Sequence, residues 1–192
     1  ASGCNLAAAL VAGITAYQEG MVSECNNSGN IKSEAVAPGE KITILTPIAK
    51  AYPSMGGIVA IAKNAEVNTC NNTGALTANY SAIEKAGAAG GRYGIAGIVG
   101  NPWGTVKNCK NTGKLDVQFK SANGSANNAK NHIPCVGGIV GADYYSTGQT
   151  NADVENCTNE GDIYYHNDCY KSNTTCGGIV GWPGAEGTTT SV

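Results

Sequence analysis

The sequence predicts an all-β chain wound as a parallel β-solenoid. Three observations point there: a two-part motif recurs at a steady period, the residues of that motif oppose helix, and the composition suits a core of small side chains. The 192 residues include 27 Gly, 21 Asn, one Phe and one Arg, and only 14% are charged. Such a core has to be built from small aliphatic groups, which fits stacked short strands and tight turns better than a helical bundle.

The motif is clearest from Ala96 to Leu115, which opens Ala96-Gly97-Ile98-Val99-Gly100 and closes Val106-Lys107-Asn108-Cys109-Lys110-Asn111-Thr112-Gly113-Lys114-Leu115. As a pattern it is small-small-[Ile/Leu]-Val-small, a variable turn, then Val-x-x-Cys-x-Asn-x-Gly-x-[Ile/Leu]. The first copy is read from Ala8-Ala9-Leu10-Val11-Ala12 to Ile31, the second from Gly56 to Leu76 and the fourth from Gly137 to Ile163. A fifth start, Gly177-Gly178-Ile179-Val180-Gly181, has no second half. Starts near 8, 56, 96, 137 and 177 are spaced by 48, 40, 41 and 40 residues. A period of this size means a solenoid, a propeller or an array of small units, and the whole of 1–192 is read as one β-solenoid repeat domain.

Gly pairs, β-branched Ile and Val, and Asn-x-Gly turns all disfavour helix within each copy. Forty residues of strand in one closed coil would trace roughly 100 Å and enclose more space than small side chains can fill. About two coils of roughly 20 residues per 40-residue repeat are therefore expected. A four-bladed β-propeller is the alternative, since four copies of this length make a legitimate blade count. It is the weaker one, because the Gly-Ala-Ser-Asn stretches between motifs supply poor outer strands.

With its Gly-Gly-Ile-Val-Gly starts and Asn-Cys-x-Asn-x-Gly turns, the chain resembles the GLUG-motif repeats of bacterial surface proteins. Those repeats occur in adhesin-like proteins and beside the peptidase region of immunoglobulin A1 proteases. The resemblance implies an extracellular or cell-surface location and a structural or adhesive role. It carries over no catalytic residue, because the peptidase's metal-binding motif has no counterpart here.

Cys25, Cys70, Cys109 and Cys157 recur once per repeat. Two coils per repeat would set successive thiols about 10 Å apart, beyond the roughly 7 Å between Cα atoms that a disulfide spans. They are read as free thiols, small buried hydrophobes in an internal stack. Cys169 and Cys176 are close enough in sequence for a loop-closing bridge in an oxidising compartment. Asn27, Asn72, Asn111 and Asn159 are expected to bond turn backbone or neighbouring coils, while Gly29, Gly74, Gly113 and Gly161 supply positive φ in the turns.

The two histidines, His132 and His166, are expected on exposed loops, with no nucleophile placed beside them. The late carboxylates Asp143, Asp153, Glu155, Glu160, Asp162 and Asp168 contain no Asp-x-Asp-x-Asp loop and are read as solvated strand faces. Neither a metal nor a cofactor is called for. A net charge of −2 leaves no basic stripe for nucleic acid, and no apolar run is long enough for membrane insertion.

The expected function is a non-enzymatic surface module, a spacer or adhesin segment that contacts glycans or host or bacterial surface proteins. Neighbouring repeats of a longer chain, or self-association, are its other expected partners. A carbohydrate-active β-helix enzyme, lyase or hydrolase-like, is the alternative. The contact is placed on aromatic side chains of the third and fourth copies, Tyr145, Tyr165, Trp103 and Trp182, where stacking on sugar faces is efficient.

Overall fold

The structure, a computed structural model, describes residues 10–38, 54–83, 91–121, 132–142, 152–168 and 175–182. Every element in those residues is a strand. The first coil contains β1 (Leu10–Ala12), β2 (Thr15–Ser23), β3 (Asn26–Asn27) and β4 (Ile31–Pro38). The second contains β5 (Ser54–Gly56), β6 (Val59–Asn68), β7 (Asn71–Asn72) and β8 (Leu76–Ile83). The third contains β9 (Gly91–Ala96), β10 (Val99–Lys107), β11 (Lys110–Asn111) and β12 (Leu115–Ser121). The fourth repeats the order with β13 (His132–Gly137), β14 (Val140–Ala142), β15 (Asp153–Glu155), β16 (Thr158–Asn159) and β17 (Ile163–Asn167). The fifth opens with β18 (Thr175–Gly177) and β19 (Val180–Trp182).

Equivalent strands of successive coils pair side by side and in parallel. Sheet 1 runs β1-β5-β9-β13-β18 and sheet 2 runs β2-β6-β10-β14-β19, with β15 also on β10. Sheet 3 runs β3-β7-β11-β16 and sheet 4 runs β4-β8-β12-β17. This is the parallel β-solenoid. A propeller blade would pair strands within one repeat, whereas here each strand bonds its counterpart in the next.

Two expectations about the winding need correction. One repeat makes one coil, not two: Met55 pairs with Ile95, Val59 with Val99, and Leu76 with Leu115. The first repeat also starts at Ala12 rather than near residue 8, because Ala12 pairs with Gly56. The spacing then becomes 44, 40, 41 and 40 residues.

A coil of forty residues encloses no empty lumen because it fills itself with its own backbone. Sheet 1 is a middle layer. Its residues Tyr93, Ile95 and Val136 join one core with Leu76, Tyr80, Leu115, Val117 and Phe119 of sheet 4, and the Tyr93 and Phe119 rings lie 5.5 Å apart. On the opposite side Gly94 lies so close to sheet 2 that an added Cβ would collide with the carbonyl of Gly100. Backbone thus packs on backbone between sheets 1 and 2.

A second core gathers Ile58, Val59, Val67 and Cys70 with their counterparts Ile98, Val99, Val106, Cys109, Ile139, Val140 and Val154. Both ends of the sheet 2 strand reach this core because the strand turns a corner. Its register shifts after Glu19 and after Trp103, at Gly20 and Gly104, which both have positive φ. The bulge gives the extra twist such a bend needs.

The corner from sheet 2 to sheet 3 also differs from expectation. Positive φ belongs to the residue before each repeat cysteine: Glu24 at 56°, Thr69 at 55°, Asn108 at 54° and Asn156 at 51°. Gly29, Gly74, Gly113 and Gly161 do not take it. Those glycines are required by closeness instead, since a Cβ on Gly74, Gly113 or Gly161 would overlap the carbonyl of the preceding coil's equivalent glycine.

Candidate contact face

Two internal ladders hold the outer surface in register. In the amide ladder, Asn27 Nδ2 donates to Asn72 Oδ1 at 2.7 Å, Asn72 to Asn111 at 2.8 Å and Asn111 to Asn159 at 2.7 Å. Each Nδ2 also donates to the carbonyl of the glycine two residues on, at 2.9 to 3.0 Å. Asn72 and Asn111 are fully buried, so both amide donors are spent inside the protein. The amides lie against the Gly-Gly turns: a Cβ on Gly57 would come within 2.6 Å of Asn72 Cγ. This contact ties the two halves of the motif together.

In the thiol ladder, Cys25, Cys70, Cys109 and Cys157 are register neighbours, with Asn71 N donating to Cys25 O, Lys110 N to Cys70 O and Thr158 N to Cys109 O, all at 2.9 Å. The 10 Å separation expected from two coils is therefore wrong. One coil per repeat brings these residues to the strand spacing of about 4.8 Å. All four are free thiols. Each donates to the carbonyl two residues earlier, at 3.1 to 3.3 Å. Cys70, Cys109 and Cys157 also reach Val22, Val67 and Val106 of the coil before. Hydrogen bonding with the Cys109 thiol pulls Cys70 down to about 6 and Cys157 down to about 7, while Cys109 itself is pushed up by the same two neighbours.

Among the described residues, the aromatic side chains expected to make the contact do not form a patch. Trp103 is 6% exposed. Tyr165 is half-buried and packs against the core of sheets 1 and 4, in the row of Val117 and Ala78. Trp182 is half-buried and pairs with Ala142, so it occupies the position of Asn101, two residues before that of Trp103. Tyr145 lies outside the described residues, as does Cys169 and with it the bridge to Cys176. Both histidines start or lie within strands, β13 and β17, rather than loops.

What the structure presents instead is the outer face of sheet 4. Strand alternation sends every second residue outward. One row is Lys32, Thr77, Asp116 and Tyr164; the next is Glu34, Asn79, Gln118 and His166. Tyr164 is 54% exposed, and the Lys114 ammonium stands 4.2 Å from its ring centroid, a cation–π contact that fixes the ring. Asn79, Tyr80, Gln118 and Lys120 line a shallow depression of about 240 Å³.

Most charged groups around this face meet a neighbour two residues away, while Lys120 has no ion pair among the described residues. Lys32 and Glu34 meet at 2.7 Å and Lys114 and Asp116 at 3.2 Å, and His166 Nε2 stands 2.6 Å from Asp168 Oδ1. The Lys32 ammonium holds the Glu34 carboxyl below its ordinary value. Between the pairs stand the neutral amides Asn79 and Gln118 beside an exposed phenol ring. Among the described residues, no three His, Cys, Asp or Glu side chains converge as a metal site would require.

The family model for the GLUG motif matches residues 134–164. The chain carries the GLUG motif. The match spans one coil, from inside β13 to the start of β17, and so includes Cys157, Asn159 and Tyr164. No curated protein and no solved structure matches the chain. The four copies in this chain carry Lys32, Thr77, Asp116 and Tyr164 at this position, which is why the motif did not single it out. Parity does: the residue after the motif's terminal [Ile/Leu] points away from the core. Accordingly Tyr165→Ala should lower stability by about 2 kcal/mol through lost packing, whereas Tyr164→Ala should stay within about 0.5 kcal/mol of the parent. Thermal melts of the two variants decide this.

Proposed function

We propose that this chain is a non-catalytic, extracellular surface module that contacts neutral glycans through the outer face of sheet 4. The GLUG motif supports a bacterial surface-type repeat module. The observation that carries the ligand class is the exposed Tyr164 ring beside the Asn79, Gln118 and His166 row. Amides supply both donors and acceptors for hydroxyl groups, and the ring stacks on the apolar face of a sugar. Among the described residues, a polyanion would find a single unpaired cation here, Lys120, rather than a basic stripe.

The test is binding to a panel of bacterial and host polysaccharides, with chain length of the glycan followed over time. The Tyr164→Ala and Gln118→Ala double variant should bind at least about 10-fold more weakly, a loss of roughly 1.4 kcal/mol, with an unchanged melting temperature. Undiminished binding would remove sheet 4 as the contact. Shortening of the polysaccharide would instead establish the carbohydrate-active enzyme reading, and binding to surface proteins alone would exclude the glycan.

A further inference from the structure

The thiol ladder is a chemically competent array that the contact face does not use. Four cysteines occupy one register position on four successive coils, and all four side chains meet the same apolar core. Adjacent strands bring register partners to about 4.8 Å, inside the roughly 4.4 to 6.8 Å between Cα atoms that disulfides occupy. The turns before each cysteine share φ of 51 to 56°, so neighbouring Cβ atoms stand at about the same 4.8 Å, slightly wider than the roughly 3.5 to 4.5 Å of a disulfide, and each bond must draw its two coils together by a few tenths of an ångström.

Accessibility sorts the four into two pairs. Cys70 and Cys109, the inner members, are 0% and 1% exposed. Cys25 and Cys157, the outer members, are half-buried. Each outer thiol is therefore reachable by a soluble reagent and has one inner thiol directly beside it.

We propose that Cys25 with Cys70, and Cys109 with Cys157, form two inter-coil disulfides when the folded chain meets a small disulfide oxidant such as oxidised glutathione. The outer cysteine attacks as thiolate on one sulfur of the oxidant, forms a mixed disulfide and releases one glutathione thiolate, which takes up a proton. The inner cysteine gives up its proton and attacks the protein-bound sulfur of that mixed disulfide, releasing the second glutathione. Two protein thiols and one glutathione disulfide become one protein disulfide and two glutathione thiols. The hydrogen bond with Cys109 holds the Cys157 thiol below its ordinary range, whereas burial raises that of Cys25, so the bond from Cys157 should form faster than the bond from Cys25. The competing pair, Cys70 with Cys109, would require the oxidant to enter the core.

The experiment uses the whole folded chain. It is incubated with oxidised glutathione, unfolded in the presence of a maleimide to block remaining thiols, digested and mapped by mass spectrometry. Cross-linked peptides joining Cys25 to Cys70 and Cys109 to Cys157 are expected. The oxidised protein should melt about 10 °C higher, because each bond closes a long loop, and reductant should reverse the shift. In Cys109→Ser, whose hydroxyl retains a donor for the same carbonyls, Cys157 should stop at the glutathione adduct. A Cys70 to Cys109 link, four maleimide-blocked repeat cysteines, or glutathione adducts accumulating equally in the unsubstituted chain would overturn the proposal.

Discussion

Gly57→Ala should abolish the cooperative fold or lower its melting temperature by more than about 15 °C. A Cβ on Gly57 would stand 2.0 Å from the carbonyl oxygen of Gly97 and 2.6 Å from Asn72 Cγ. Neither obstacle can move aside. The first is backbone of the next coil, held in parallel pairing on both sides of the turn, and the second is a buried rung of the amide ladder. Gly57 does not have positive φ, so the effect is steric rather than conformational. Gly178 provides the control: it occupies the equivalent turn of the last coil, and a Cβ there meets nothing within 4 Å among the described residues. Gly178→Ala should therefore change stability by less than about 0.5 kcal/mol. Equal effects of the two substitutions, measured by melting and by the soluble fraction on expression, would mean that coil-to-coil closeness does not make the turn glycine necessary.

Asn111→Ala is expected to cost about 4 kcal/mol, or about 10 °C in melting temperature. Three hydrogen bonds meet at this side chain: it donates to Gly113 O and to Asn159 Oδ1, and it accepts from Asn72 Nδ2. The bonds with Asn72 and Gly113 are buried and the one with Asn159 is half-buried, so truncation leaves a buried donor and a buried acceptor short of partners rather than exchanging them for water. Asn111→Asp should be at least as damaging at neutral pH, because a carboxylate oxygen would then face the Asn159 amide oxygen. Asn159→Ala should cost clearly less, since its rung is half-buried and has a coil neighbour on one side in the ladder. Denaturant titration of the three variants ranks them, and a loss at Asn159 as large as that at Asn111 would refute a ladder stabilised from its centre.

The parallel solenoid was legible because a fixed period lets every repeat place identical residues beside one another, and in-register strands are the arrangement that satisfies all of them. The winding number was not. A perimeter estimate treats the coil as hollow, whereas Gly94 and Gly100 let one strand of each coil fold inside and lie directly against another. The cysteine spacing inherited that error, since distance along the stack follows from residues per coil. The left-handed corner was hidden for a different reason: Asn108 and Asn156 suit positive φ, but Glu24 and Thr69 stand at the same position and do not. Tertiary pairing imposes it on Thr69, a β-branched residue for which positive φ is unfavourable. For the contact face, the adjacency of Tyr164 and Tyr165 requires one ring inside and one outside. The parity of Leu76 and Leu115, counted forward from the buried motif position, would have said which.

One coil per repeat also sets how the length of the solenoid grows with its sequence. About 40 residues yield a single rise of about 4.8 Å, while the same length of α-helix would span about 60 Å. From β1 to β18 the described strands climb four steps, roughly 19 Å. That makes a poor stalk. Adding repeats hardly moves the module outward, but each one extends the sheet 4 wall by another row of outward side chains. For the glycan contact proposed above, repeat number would then tune valency instead of reach: of two such modules differing by several repeats, the longer would grip a polymer at more points along its length.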